Sequence, residues 1–259
     1  LRLDSGNFMF SPASITYAFS MTYAGARTLT ETQIADVFHF DLGQAGTHAA
    51  LNAIDLALAS RGQGATGADG KPFRLNLVNQ TFGRSGYSFV PAFLDTLAVN
   101  YGASMRLMDF ESDAEGSRHA INDWVETATE DRIQELFPAG SVEPSTALVL
   151  ANAIYLNAAW ATKFKTEETT QQPFTLQSGS SVDVDMMSGL LHVAHTQQSD
   201  YFAVELDYEG DELSMVLFVP SDFDAFEQAL TPAVIDTTLT ALGSKNVILQ
   251  LPKFGGDTS

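Results

Sequence analysis

The sequence predicts an α+β fold, and three observations carry that expectation. Helix-period patterns crowd the first half of the 259 residues, strand-like runs crowd the second, and no βαβ rhythm connects them. No fixed-period repeat or long polar linker divides the chain, so a single domain over residues 1–259 is expected, with at least one substantial, partly antiparallel sheet. Hydrophobic residues make up 45% and charged residues 17%, which is enough apolar material to bury a sizeable core.

Ser11-Pro12 opens the first helix. The serine side chain can accept from free N–H groups, and proline at the first helical position has no N–H to lose. Ile15, Ala18, Phe19 and Thr22 repeat at helical spacing, and Gly25 offers a left-handed stop. Thr30-Glu31-Thr32-Gln33 is a capping box for a second helix burying Ile34, Val37 and Phe38. A third helix, about 47–60, carries Leu51, Ile54 and Leu58 on one face. Residues 62–71 form a loop by composition. Phe73, Leu75 and Leu77 then alternate with polar residues as a strand does. Pro91 starts a helix that stops at Gly102, and Met105 and Leu107 mark a short strand. Ser112-Asp113-Ala114-Glu115 is a second capping box, opening a helix with Ile121, Trp124, Val125 and Ala128.

Residues 146–156 (TALVLANAIYL) show no alternation, which predicts a strand covered on both faces. Further strands are expected at 174–176, 182–187, 201–208, 213–219 and 246–251. Two short helices, near 225–230 and 232–242, fall between the last two.

Charge and motifs exclude several functions. Thirteen basic against 32 acidic residues give a net charge of −19, which repels phosphate backbones and anionic lipid, so neither nucleic acid nor membrane is expected as a partner. Salt-rich surroundings would screen the self-repulsion. The absence of cysteine removes disulfides, thiol nucleophiles and thiolate metal sites. Gly62-Gln63-Gly64-Ala65-Thr66-Gly67 matches a dinucleotide fingerprint, but a helix precedes it and a strand follows, the reverse of what phosphate binding needs. His192 and His195 are spaced for a shared metal only on a helix, and here they fall in an expected turn without a third ligand. Asp207 to Glu212 is an acidic turn, and the sequon Asn79-Gln80-Thr81 lies inside a strand. No nucleophile elbow and no raised-pKa carboxylate pair is visible, so no catalytic residue, metal or cofactor is assigned.

Polar residues inside apolar elements stand out instead. Asn152 occupies the middle of the most hydrophobic run, where an unpartnered amide costs about 1–3 kcal/mol. Ser14, just inside the first helix, could reach it if that helix starts beneath the sheet. Trp160 follows the strand's end. Local backbone pairing for the amide and ordinary packing for the tryptophan are the plain alternatives.

These residues belong to a longer pattern that resembles the serpins. Asn7-Phe8-Met9-Phe10-Ser11-Pro12-Ala13-Ser14-Ile15, with Gly25-Ala26 and Thr30, is similar to the family's opening signature. The likeness continues through Asn79, Tyr101-Gly102-Ala103, Asp109-Phe110 and Ile121-Asn122-Asp123-Trp124-Val125, with Thr129 and Ile133. It then runs through Leu150-Ala151-Asn152-Ala153-Ile154-Tyr155, Trp160, Phe164, Phe174, Met186-Met187, Glu205-Leu206, Tyr208, Gly210 and Ser214-Met215 to Leu251-Pro252-Lys253-Phe254. Two mild departures fit the acidic surface: Asp185 stands where a basic residue or proline is usual, and Asp207 where proline is usual.

The resemblance implies a large mixed sheet A, smaller sheets B and C, a helical bundle and a metastable native state. It implies a suicide inhibitor of a serine protease, or of a cysteine protease, whose cleaved reactive loop enters sheet A as a strand. A non-inhibitory carrier, chaperone or structural serpin is the alternative. Ser11, Ser14 and Asn152 match the shutter beneath the central strands, and Trp160 matches the breach where insertion begins. Ile121, Asn122, Trp124, Val125 and Thr129 match the helix lying across the sheet. The family's first helix is expected before Leu1. The reactive loop and C-terminal strands, which this chain would need as a partner, are expected after Ser259. The expected location is extracellular.

Overall fold

The computed structural model describes residues 7 and 9–255. Two compact units emerge, Leu1–Arg61 with Arg74–Leu156, and Gly62–Phe73 with Asn157–Ser259.

The first unit contains α1 (Pro12–Gly25), α2 (Thr28–Phe38), α3 (Gly43–Ala59), β1 (Arg74–Arg84), α4 (Pro91–Tyr101), β2 (Met105–Met108), α5 (Ala114–Ala128) and β3 (Leu148–Asn157). Its strands form a sheet in the order β2-β1-β3, with β1 and β2 parallel. Side chains alternate across the sheet and serve two cores. Leu77 of β1 and Leu150 of β3 pack against Tyr17, Met21, Leu51 and Leu97 from α1, α3 and α4. Phe82 of β1 and Ala151 of β3 pack against Phe110 and Ile121, with Trp124 alongside. The sheet is therefore covered on both faces, which explains the unbroken apolar run of β3.

The face that α1 buries is not the expected one. Tyr17, Ser20, Met21 and Ala24 are buried, whereas Ile15 and Phe19 are 37% and 45% exposed. Both stripes are apolar enough to be buried, so periodicity could not choose between them. Phe19 instead stacks on Phe38 of α2, with ring centroids 4.7 Å apart. Val37 and Ile54, expected in the core, are also exposed. Gly25 does not turn left-handed. Ala26 is the extended cap, and a Cβ added at Gly25 would meet the Phe93 ring at 3.4 Å, an ordinary contact distance. Gly102, at φ 60°, is left-handed and ends α4 as expected. Neither capping box forms as expected: α2 begins at Thr28 after Arg27, which makes no side-chain capping bond, so Thr30 lies inside the helix, and Asp113 rather than Ser112 caps α5, accepting from Gly116 N at 2.9 Å.

The second unit contains β4 (Thr170–Thr175), β5 (Ser181–Gln197), β6 (Tyr201–Asp207), β7 (Ser214–Pro220), α6 (Phe223–Ala229), α7 (Pro232–Ala241) and β8 (Gly243–Pro252). Its five strands pair antiparallel in the order β4-β5-β6-β7, with β8 also on β5. The two smaller sheets expected by resemblance are continuous here, because β5 runs 17 residues without a break and serves both ends. Leu191, Val193, Val204, Leu206 and Leu251 form its core.

His192 and His195 lie in β5 rather than in a turn, opposite Asn246 and Gly243 of β8. Three residues apart on a strand, they point to opposite faces and cannot share an ion. Among the described residues no His, Asp and Glu cluster could hold a metal, and no helix is long and apolar enough to cross a membrane.

Two outcomes follow from this packing. Ile121→Ala, at a fully buried contact between α5 and the sheet, should lower stability by about 2–5 kcal/mol, read as a shifted denaturant midpoint with Trp124 fluorescence as reporter. An unchanged midpoint would mean α5 is not seated there. With a charge of −19, raising salt from roughly 0.01 to 1 M, which shortens screening from about 30 to 3 Å, should raise the melting temperature. A melting temperature indifferent to salt would show that charge repulsion does not limit stability.

Candidate functional site

Asn152 sits near the middle of β3, on the face that packs toward α1. A run this apolar tolerates an amide only where another polar group meets it. Asn79, one strand away on the same face of β1, supplies that partner: Asn152 Nδ2 donates to Asn79 Oδ1 at 2.8 Å. Asn152 Oδ1 is buried and has no partner among the described residues.

The pair is the end of a longer polar chain. Asn79 Nδ2 donates to the Tyr101 backbone oxygen at 3.4 Å, where α4 ends. The Tyr101 hydroxyl lies 2.6 Å from His48 Nδ1 of α3. Tyr17 of α1 meets Tyr101 edge to face at 6.3 Å and donates its hydroxyl proton to Leu51 O at 3.0 Å. Ser20 Oγ donates to Tyr17 O at 2.8 Å. Five elements thus meet through buried polar groups behind the β1-β3 pair. Burial raises Tyr101 to a pKa of about 12 against a partly offsetting bond from Ser20, with the Tyr17 hydroxyl adding to the rise. Burial, with the Asp55 carboxylate adding to it, likewise holds Tyr17 at about 12. Both phenols stay neutral across the ordinary pH range. Burial pushes the His48 pKa down.

The shutter residues named from resemblance are placed unevenly. Ser11 caps α1, its Oγ accepting from Ser14 N at 3.1 Å. Asn152 takes Asn79 as partner, not Ser14, so the expected Ser14 contact is replaced by one between neighbouring strands. Adjacent strands hold two amides at fixed register, which a half-buried serine in a helix's first turn cannot match.

α5 holds its own group together on the opposite face of the sheet. Ile121 and Val125 are fully buried, and Trp124 packs edge to face on Phe82 at 5.8 Å. Asn122 grips the returning chain twice, donating to Phe137 O and accepting from Phe137 N, each at 2.9 Å. Arg118, itself buried, donates to the same Phe137 O at 2.7 Å and pairs with Glu115 and Glu135. Thr129 Oγ1 donates back to Val125 O at 2.8 Å and accepts from Ile133 N at 3.1 Å. Beyond it, Glu130 and Asp131 both adopt left-handed φ values, 50° and 63°. Each such residue costs about 1–3 kcal/mol, and here the Glu130 carboxylate holds the turn by an ion pair to Arg74 at 2.7 Å and a bond from the Tyr155 hydroxyl at 3.3 Å.

Trp160 lies in the second unit. It bridges to Tyr208 and stacks on that ring at 4.7 Å, nearly parallel at 7°. The glycine-rich segment that mimicked a nucleotide loop is part of the same clasp. Thr66 Oγ1 donates to Glu209, Thr66 O accepts from Ala159 N, and Gly62 N donates to Glu212. Its amides are spent on side-chain carboxylates and backbone, not on a phosphate.

Sequence reasoning missed His48, Tyr101 and Tyr17 as members of one network. Asn79 was visible only as part of a sequon and a family match. The available signal was polar residues at buried positions of separate helices, which becomes legible only once the helices are assembled.

The sequence model of the family described as Serpin (serine protease inhibitor) matches residues 2–259. Leukocyte elastase inhibitor A of Rattus norvegicus is 35% identical over 222 residues, covering 85% of this chain and 56% of that protein. Antithrombin-III of Mus musculus is 33% identical over 256 residues, covering 97% and 54%. Among solved structures, ovalbumin from the emu, Dromaius novaehollandiae, superposes with a TM-score of 0.87 at 28% identity, covering 95% of this chain and 67% of that one. The chain thus spans little more than half the length of these two relatives. A family match across almost every residue, on a fold shared with a solved serpin, leaves one conclusion: the chain belongs to the serpin family.

Proposed function

We propose that the protein to which this chain belongs inhibits serine proteases by a suicide mechanism. The protease serine attacks a peptide bond in a reactive loop that follows the matched segment, forming an acyl-enzyme. The cleaved loop then adds as a strand beside β3 and carries the protease with it. Strand addition and release of stored strain are general devices, and serpin loop insertion is a standard example of both. Each new ladder bond is worth about 0.5–1.5 kcal/mol net, so a strand of several residues with its apolar burial makes the step irreversible.

The observation that carries this reading is the state of β3. In the order β2-β1-β3 it has a strand on one side only among the described residues, and its one interior amide is tied to Asn79. In this reading the Asn79–Asn152 bond resists sheet opening, while Ser11 and Ser14 contribute through the capped start of α1 that packs against the same face. α5 must shift as a block with its returning chain when the new strand enters. Trp160, clasped to Tyr208, marks where insertion starts. The first relative is named an elastase inhibitor, which favours inhibition over a carrier or structural role.

Incubating the full-length protein with a panel of serine proteases should give a complex that survives SDS. Clean turnover of the inhibitor by every protease in the panel would overturn the proposal. Asn152→Ala should lower stability by about 1–3 kcal/mol, roughly 2–4 °C per kcal/mol at this size, and increase polymeric or latent forms on storage. Equal melting temperature and equal monomer fraction would remove Asn152 from any gating role.

A further inference from the structure

We infer that His48 is an acid-sensitive latch: protonating its ring loosens the buried polar chain that steadies the Asn79–Asn152 pair between β1 and β3. This does not depend on inhibitory activity, because it concerns the stability of the first unit alone.

His48 is 3% exposed, at the helix-side end of the polar chain that runs through Tyr101 and Asn79 to Asn152. Its Nδ1 is 2.6 Å from the Tyr101 hydroxyl, and its Nε2 is buried with no partner among the described residues. The ring contacts two aromatic neighbours, Tyr23 of α1 at 5.8 Å and Tyr101 of α4 at 5.7 Å between centroids. Tyr23 and Tyr101 are the titratable groups facing it from those helices. Tyr17 and Asn79 of β1 join through Tyr101, and Asp55 lies two turns along α3 itself, acting on Tyr17. Burial raises all three phenols, so none supplies a negative charge near neutral pH. Burial alone accounts for the lowered His48 pKa, with no carboxylate opposing it.

A neutral imidazole suits this pocket and an imidazolium does not. Protonation gives both ring nitrogens an N–H and leaves a positive charge in apolar surroundings, beside an Nε2 that has no partner among the described residues. Movement of α3 away from α4 rehydrates the ring and withdraws His48 from Tyr101. Tyr101 is also the residue whose backbone oxygen orients Asn79, the acceptor of the Asn152 bond. One proton is thereby connected to the β1-β3 contact through two residues.

Because the folded pKa lies below the ordinary 6.5, the stabilisation is complete above pH 6.5 and is lost as pH falls from there toward the folded value. A single proton sets the ceiling, about a tenfold rise in the opening equilibrium per pH unit within that window.

The test is hydrogen exchange at the amides of residues 79 and 152 in the full-length protein from about pH 7.5 to 5, corrected for intrinsic exchange. The wild type should show opening that steepens below pH 6.5. His48→Gln, which keeps a polar neutral side chain and the other four histidines, should flatten that dependence. Equal slopes in the two proteins would overturn the latch. NMR titration of the wild-type His48 ring decides the case even if H48Q fails to fold: a midpoint below 6.5 supports the latch, and one at or above 6.5 overturns it.

Discussion

The first unit depends on one constraint: an amide placed in a sheet covered on both faces must find another polar group at fixed register. Helices α1, α3 and α4 take water away from one face of β1 and β3, and α5 takes it from the other. Asn152 is tolerable there because Asn79 stands on the neighbouring strand, and Asn79 is in turn oriented by the end of α4. The buried tyrosines follow from the same need. Each brings large apolar area into the core while its hydroxyl finds a partner, Leu51 O for Tyr17 and His48 for Tyr101. Replacing any member with an apolar residue leaves its partner stranded, so the chain stands or fails together.

The opposite face is organised differently. α5 does not rely on a buried hydrogen-bond chain to the sheet. It presents Ile121, Val125 and Trp124 to the strands and uses Arg118 and Asn122 to hold its own returning segment at Phe137. Apolar contact permits a helix to slide or lift, whereas the polar grip keeps helix and return segment together. The Glu130–Arg74–Tyr155 group closes the arrangement at one end and supports two left-handed residues that isolated chain would avoid.

The second unit has no comparable buried chain. Its buried cluster is built of leucines and valines, Tyr201 and the fully buried Thr238 share one hydrogen bond, and the Gly62–Phe73 segment, Trp160 and the Tyr208–Glu212 turn clasp one another. Asp207, in that acidic turn, has its pKa raised by partial burial and by the nearby Glu205 and Asp211 charges. Acid would relieve that repulsion, the opposite of its effect at His48.

Much of this was legible in the sequence. The order and type of the elements, the cap at Ser11, the stop at Gly102 and the strand around Asn152 follow from rules that act within a few residues: capping, backbone freedom and hydropathy period. The family pattern added the expectation that Asn152 matters. What the sequence left open needed the folded chain. Periodicity could not choose which of two apolar stripes α1 buries, because both satisfy it and only the position of α3 and α4 discriminates. A turn was expected at His192–His195 because their polarity hid the strand that pairing with β8 enforces. The partner of Asn152 proved to be Asn79 rather than Ser14, and His48 entered the network, because 73 residues separate the two asparagines and 53 separate His48 from Tyr101. Local chemistry fixes what each segment can become, while the pairing of buried polar groups depends on distances that exist only after the segments are assembled.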